Sequence, residues 1–203
     1  MIELLERVAQ RPVSGETFEK LKAYESFLRE ESARQNLVSA STLDDLWERH
    51  IFDSAQLVPF EPQPCASWAD IGSGAGLPGI IIACLVDGPV TLIEPRRLRA
   101  EFLHRVVESL NLNAKVIGSK VERVEGSFDV ITARAVANLS KLFEISAHLS
   151  TRNTVWAFPK GTRANEELSV ARRAWQGVFH VEQSVTDPDS QIVVATGVRS
   201  RKK

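Results

Sequence analysis

Apolar positions along the chain follow two periods, one in its first third and another beyond it. Between Thr17 and Leu37, the residues Phe18, Leu21, Tyr24, Leu28 and Leu37 fall on roughly one helical face. Ser14 or Gly15 starts that helix, and the pattern breaks near Asn36–Ala40. A second stripe, Leu43, Leu46, Trp47, Ile51 and Leu57, predicts another helix begun at Ser41, with Asp44 as a capping-box acid. Residues 1–58 are therefore expected to be helical. Pro59, Pro62 and Pro64 mark a linker after them.

From Ala66 short apolar runs alternate with amphipathic stretches. Strands are predicted up to Asp70 and over Val90–Glu94, Lys115–Ile117, Phe128–Arg134 and Thr154–Phe158. The intervening helices are one opened by Pro78 and continued by Ile80–Leu85, then Arg96–Leu110, Asn138–Leu149 and Arg163–Trp175. Two last strands, Val178–Val185 and Gln191–Val198, flank the turn signal Asp187-Pro-Asp-Ser190. Five β-α units imply a mostly parallel sheet with right-handed crossovers, and the closing hairpin brings one antiparallel strand. The expected fold class is α/β: a Rossmann-like, seven-stranded, mostly parallel sheet with a terminal antiparallel hairpin and an N-terminal helical extension. Residues 1–64 form the extension packed on the core, and residues 65–203 form the core.

The first strand runs into Asp70-Ile-Gly-Ser-Gly-Ala-Gly-Leu-Pro-Gly79. Glycines at Gly72, Gly74 and Gly76 permit positive φ and let a ligand touch bare backbone. Strand, glycine loop and helix make the nucleotide-binding corner of a doubly wound sheet. Gly74–Gly79 also matches the dinucleotide fingerprint in an offset frame. Asp70 argues for a different ligand. A carboxylate there repels a pyrophosphate but attracts an ammonium and a sulfonium, which S-adenosylmethionine (SAM) carries together. Seven strands with a terminal hairpin also suit a methyltransferase better than an NAD domain.

Ligands in such sheets bind beyond the carboxyl ends of the strands, which singles out Asp70, Glu94, Glu122, Arg134 and Lys160. Glu94 ends the second strand, where an acid accepts hydrogen bonds from both ribose hydroxyls; NAD and SAM need this equally. Arg134 stands where methyltransferases of exocyclic amines carry an Asn/Asp-Pro-Pro-aromatic turn. An arginine is no base, but it holds a phosphate or the O6/N7 edge of guanine. His50 and Asp53 lie three apart and share a helix face. A further basic set, Arg96, Arg97, Arg99, Lys120, Arg123, Lys160 and Arg163, is suited to steering a polyanion.

Composition narrows the classes. A hydrophobic fraction of 43% excludes disorder for most of the 203 residues. Lys and Arg total 25 against 26 Asp and Glu, so any nucleic-acid contact is local; the Arg199–Lys203 end is one such patch. Cys65 and Cys84 are far apart and form no metal motif, and the four histidines show no ligand spacing, so no metal is expected. No signal peptide opens the chain and no apolar run reaches membrane-spanning length, so a reducing, cytoplasmic setting is expected, away from membranes.

Five pieces in order, Asn36-Leu-Val-Ser39, Arg49-His-Ile-Phe-Asp-Ser54, Asp70–Gly79, Phe128-Asp-Val-Ile-Thr-Ala-Arg-Ala135 and Lys160-Gly161, resemble the RsmG (GidB) family of bacterial 16S ribosomal RNA guanine-N7 methyltransferases. The resemblance covers nearly the whole chain and thins beyond Gly161. It implies a class I SAM-dependent methyltransferase fold. By matching position it implies SAM contacts from Gly72, Leu77, Val121, Glu122 and Arg134, with Glu94 as the ribose acid. Its substrate would be guanine 527 of 16S RNA, in the decoding-region loop, and its partner that RNA or the small ribosomal subunit. Arg134, His50 and Asp53 would then carry positioning roles in catalysis, with no general base, in a monomer. Where the family often has Lys-Arg after the strand-two acid, this chain has Leu98 and Arg99. A SAM methyltransferase of small molecules, an NAD(P) oxidoreductase and a non-catalytic RNA-binding module are the other readings.

Overall fold

A computed structural model describes residues 1–39 and 43–201. Two helices open the chain, α1 (Ile2–Ala9) and α2 (Gly15–Ser32). A π-helical stretch, Trp47–Phe52, follows and continues into the short helix Asp53–Ala55. The core then alternates β1 (Trp68–Ile71), α3 (Gly79–Leu85), β2 (Val90–Ile93), α4 (Arg97–Ser109), β3 (Ala114–Ile117), β4 (Phe128–Thr132), α5 (Leu139–Ser146), β5 (Ser150–Pro159) and α6 (Ala164–Ala174). A hairpin of β6 (Trp175–Gln183) and β7 (Gln191–Ser200) closes it.

The seven strands lie in the order β3-β2-β1-β4-β5-β7-β6. β1 to β5 pair in parallel, and β7 runs antiparallel to both β5 and β6. The sheet order reverses between β1 and β4, where Trp68 pairs with Val90 on one side and with Val130 on the other. Every residue of β1 and β2 is buried, as strands covered on both faces require. Strand alternation divides the core into two layers. Trp68, Val90, Leu92, Val130 and Ala157 face the first, against α1 to α4. Ala69, Ile71, Ile93, Ile131, Trp156 and Phe158 face the second, against α5 and α6. Leu5, Leu21, Tyr24, Leu28 and Ile51 thus share one apolar layer with the sheet and α3.

The α/β sheet with its terminal hairpin is as expected, but several boundaries differ. The Ser14 hydroxyl caps α2 by accepting from Thr17 N at 3.0 Å. α2 ends at Ser32, where Arg34 N and Gln35 N both bond to the Glu31 carbonyl, so Leu37 is not on its face. The expected helix start at Ser41 lies outside the described residues. Its continuation is π-helical, so Trp47 packs against Phe52, five residues away, with tilted rings whose centroids are 5.9 Å apart. Pro78 is the N-cap of α3 rather than its first residue. β6 spans 175–183, not 178–185, because its pairing with β7 extends from Trp175 opposite Ser200 to Gln183 opposite Gln191. The residues after it, Ser184–Thr186, leave the sheet and bond elsewhere.

Candidate active site

The loop after β1 needs its glycines. Gly72, Gly74 and Gly76 have φ of 66°, 56° and 95°. A Cβ on Gly72 would stand 2.7 Å from Val136 Cγ2, and one on Gly76 would stand 2.5 Å from Ile80 Cγ1. The loop is held from three sides. Gly72 N and Ser73 N donate to the Ile93 carbonyl at 2.8 and 3.1 Å. The buried Tyr24 hydroxyl of α2 donates to the Ala75 carbonyl at 2.9 Å. Glu94, just beyond β2 and 3% exposed, accepts from Gly74 N at 2.9 Å and from Arg96 N at 2.8 Å. Each carboxylate oxygen keeps a further lone pair for a ligand hydroxyl.

A cleft of about 340 Å³ opens over this loop. Gly72, Gly74, Leu77 and Glu94 line it, with Leu37 and Val38 on the opposite wall and Arg134 at its end. Asp70 does not line it. Its Oδ2 accepts from Gly79 N at 3.1 Å, and its Oδ1 is buried without a partner. Burial pushes its pKa up to about 7. Gly79 permits this approach, since a Cβ there would lie 2.6 Å from Asp70 Oδ2. Val121 and Glu122 form a 3-10 turn after β3, with Val121 in the second core layer and Glu122 exposed. Neither side chain lines the cleft as it stands.

Arg134 follows β4 by two residues, and Ala135 after it takes a left-handed φ of 57°. That turn sets the guanidinium between two clefts. The second, about 500 Å³, is bounded by Asp53, Asn138, Lys160, Arg163 and the β6–β7 turn. Arg134 Nη1 pairs with Asp53 Oδ2 at 3.2 Å, and both side chains are four-fifths buried. His50 lies on the same π-helical stretch with both ring nitrogens buried and unbonded. Burial first, and the neighbouring Arg134 charge second, push its pKa down to about 4, so the ring is neutral at pH 7.

The structure thus brings Gly72, Gly74, Leu77, Glu94 and Arg134 to one cleft, and Asp53 to Arg134. The basic set divides. Arg96 and Arg99 line the first cleft and Arg163 the second. Arg97 pairs with Glu101 at 2.8 Å. The Lys160 side chain is 8% exposed and pairs with Glu167 at 3.0 Å while donating to the Ala137 carbonyl at 2.6 Å, so it braces the second cleft from inside. Sequence reading missed Leu37 and Val38 as cleft wall and gave no role to Gln56 or Glu167, whose partners Val185 and Leu139 lie in distant segments; Asn138, read as a helix start, caps α5 by accepting from Lys141 N at 3.0 Å.

The residues present fit an adenosyl ligand. The glycine loop leaves backbone that no Cβ could share at Gly72 and Gly76, and the Glu94 carboxylate stands at the strand end beside it. Phosphate-binding chemistry fits less well beside Glu94, whereas Asp70, expected to face the ligand, lies buried behind the loop.

Comparison with known proteins agrees with this geometry. The family model described as rRNA small subunit methyltransferase G matches residues 17–192. The ribosomal RNA small subunit methyltransferase G of Zymomonas mobilis is 46% identical over 94% of this chain and 90% of its own. Among solved structures, a mutant of MtNAS in complex with S-adenosylmethionine superposes with TM-score 0.60 at 19% identity, over 84% of this chain and 72% of that one. A TehB-like SAM-dependent methyltransferase from Corynebacterium glutamicum superposes with TM-score 0.55 at 14% identity, over 71% and 87%. These two similarities show the fold alone, that of the class I SAM-dependent methyltransferases. Fold, glycine loop and sequence likeness over most of its length converge: this chain belongs to the rRNA small subunit methyltransferase G (GidB) family.

Proposed function

We propose that this protein transfers a methyl group from SAM to N7 of a guanosine in 16S rRNA, guanine 527 by family resemblance. The observation that carries the reading is the position of Arg134. It stands at the carboxyl ends of the central strands, between a glycine-floored cleft bordered by Glu94 and a second cleft lined by the Arg134–Asp53 and Lys160–Glu167 pairs and by Arg163. Asp70, Gly72, Gly74, Gly76, Leu77, Glu94, Val121 and Glu122 are the residues assigned to SAM, with Arg134 reaching it from the side of the second cleft. Asp70 serves from behind the loop, through α3. Residues 1–64 act as an extension that closes the cofactor cleft, and residues 65–203 as the catalytic core.

Bound in the first cleft, SAM supplies a methyl group on a positively charged sulfur. Guanine N7 carries a lone pair and no proton, so its attack needs no general base. The chain's contribution is then alignment of N7 with the methyl carbon, worth several powers of ten in rate when well made. Arg134 orients the guanine edge or a flanking phosphate, held by Asp53. His50, neutral at pH 7, fills the space beside Arg134 without adding charge next to a product ring that becomes cationic. Arg96, Arg99 and Arg163 face the RNA backbone at the two cleft mouths.

No described helix is long and apolar enough to cross a membrane. Exposed large apolar side chains, Met1, Leu98, Val136, Val170, Val178 and Val185 among them, sit on separate elements, which supports action as a monomer, and a ribosomal RNA substrate supports a cytoplasmic setting. Labelled methyl transfer from SAM to small-subunit particles, with the modified base mapped, tests the reading. Label at one guanine N7 of 16S rRNA is the expected result. Turnover on a small molecule without RNA, or saturation by NAD in place of SAM, overturns it.

A further inference from the structure

Gln56 is 5% exposed and spans two parts of the chain that sequence separates widely. Its Oε1 accepts from Val185 N at 2.9 Å and from the Ser184 hydroxyl at 3.1 Å. Its Nε2 donates to Asp53 Oδ1 at 2.7 Å. The amide can point only one way. Val185 N–H is solely a donor and the ionised Asp53 carboxylate solely an acceptor, so oxygen must face the first and NH2 the second. Thr186 Oγ1 adds a second donor to the same Asp53 oxygen at 3.2 Å. With Oδ1 occupied twice, Oδ2 is left to face Arg134 Nη1 at 3.2 Å. Among the described residues the guanidinium also approaches the Arg49 carbonyl, at a long 3.5 Å, so its direction depends on Asp53.

We propose that Gln56 is a positioning residue for the methyl transfer. It turns a backbone donor of the β6–β7 turn into a side-chain donor at Asp53, and so sets Arg134 between the two clefts. Ser184 and Ser190 of the same turn wall the second cleft, so the shape of that wall and the direction of Arg134 are set together. The proposal rests on the RNA-methylating role given above to Arg134.

Three variants of the full chain test it: Gln56→Leu, Gln56→Glu and Thr186→Val. Gln56→Leu removes the donor, and kcat for small-subunit particles is expected to fall roughly tenfold while the SAM Kd moves less than about threefold. Gln56→Glu places a second carboxylate against Asp53. The pair regains a donor only when it shares a proton, so activity relative to the parent rises as pH is lowered from about 8 to about 6. Gln56→Leu shows no such rise. Thr186→Val, at a partly exposed turn position, removes the weaker donor without opening the core and is expected to cost about threefold in kcat. A crystal structure of Gln56→Leu gives a readout without substrate, in which the Arg134–Asp53 pair is broken. Parental kcat in Gln56→Leu, a Gln56→Glu pH profile parallel to the parent's, or an intact pair in that crystal structure overturns the proposal. A parent that leaves small-subunit RNA unmethylated, with the pair still broken in the variant, overturns the RNA reading instead and leaves the orienting role of Gln56 standing.

Discussion

Replacing Glu94 by Gln tests whether the strand-end acid organises the glycine loop before any ligand arrives. The side chain keeps its shape and loses one acceptor. In the parent the two carboxylate oxygens accept from Gly74 N at 2.9 Å and Arg96 N at 2.8 Å, at a site 3% exposed. Hydrogen bonds to a charged group contribute about 1.5–3 kcal/mol each. Glutamine satisfies one of these N–H groups and turns its own NH2 toward the other, donor against donor. One charge-assisted bond is lost and the survivor is weakened, a cost of about 2–3 kcal/mol. For a domain of this size that lowers Tm by about 4–12 °C. Urea unfolding without ligand is the assay, with the midpoint expected to fall and the slope to stay constant. SAM affinity should fall at least about tenfold, since the loop and the ribose acceptor are both disturbed. If ligand-free stability stays at the parental value while SAM affinity drops, the carboxylate serves the ligand only and the clamp is refuted.

Gly72→Ala introduces a Cβ at φ 66°, 2.7 Å from Val136 Cγ2; calorimetry should show SAM binding weakened by about tenfold or more, and unchanged affinity would show that the loop has room. Tyr24→Phe strips the buried donor from the Ala75 carbonyl and should cost about 1–2 kcal/mol by chemical unfolding, whereas a neutral result would mean that water replaces the hydroxyl. Asp70 has a folded pKa raised by burial to about 7 from 3.8. Its stabilising contribution is therefore full below pH 4 and lost as pH climbs through about 7, up to about 4 kcal/mol at 1.36 per pKa unit. Asp70→Asn should flatten the stability–pH curve over that interval, and an identical slope in parent and variant would contradict the burial argument. Arg134→Ala should depress RNA methylation far more than it lowers Tm; proportionate losses in both would assign it a structural role.

Much of the fold is legible in the residues themselves. Runs such as Val90-Thr-Leu-Ile and Phe128-Asp-Val-Ile-Thr are buried parallel strands because β-branched and aromatic side chains cover both sheet faces. Gly72, Gly74 and Gly76 are legible because only glycine adopts those φ values freely. The end of α2 was less visible. Leu37 continues the apolar spacing but leaves the helix to form a cleft wall. The π-helical turn at Trp47–Phe52 was also hidden, because a period near four residues is too close to the α-helical one to register over six positions.

The sequence by itself determined the alternation of strands and helices, the glycine loop, and which charged groups stand at strand ends. All of these follow from local backbone preference and from side-chain periods of two or 3.6. Only the tertiary structure decided what those charges meet. Arg134 finds Asp53 across 81 residues, and Gln56 finds Val185 across 129. A single polar side chain reaching a distant partner leaves no period in the chain. Its energy exists only after the sheet and the N-terminal helices have closed around it.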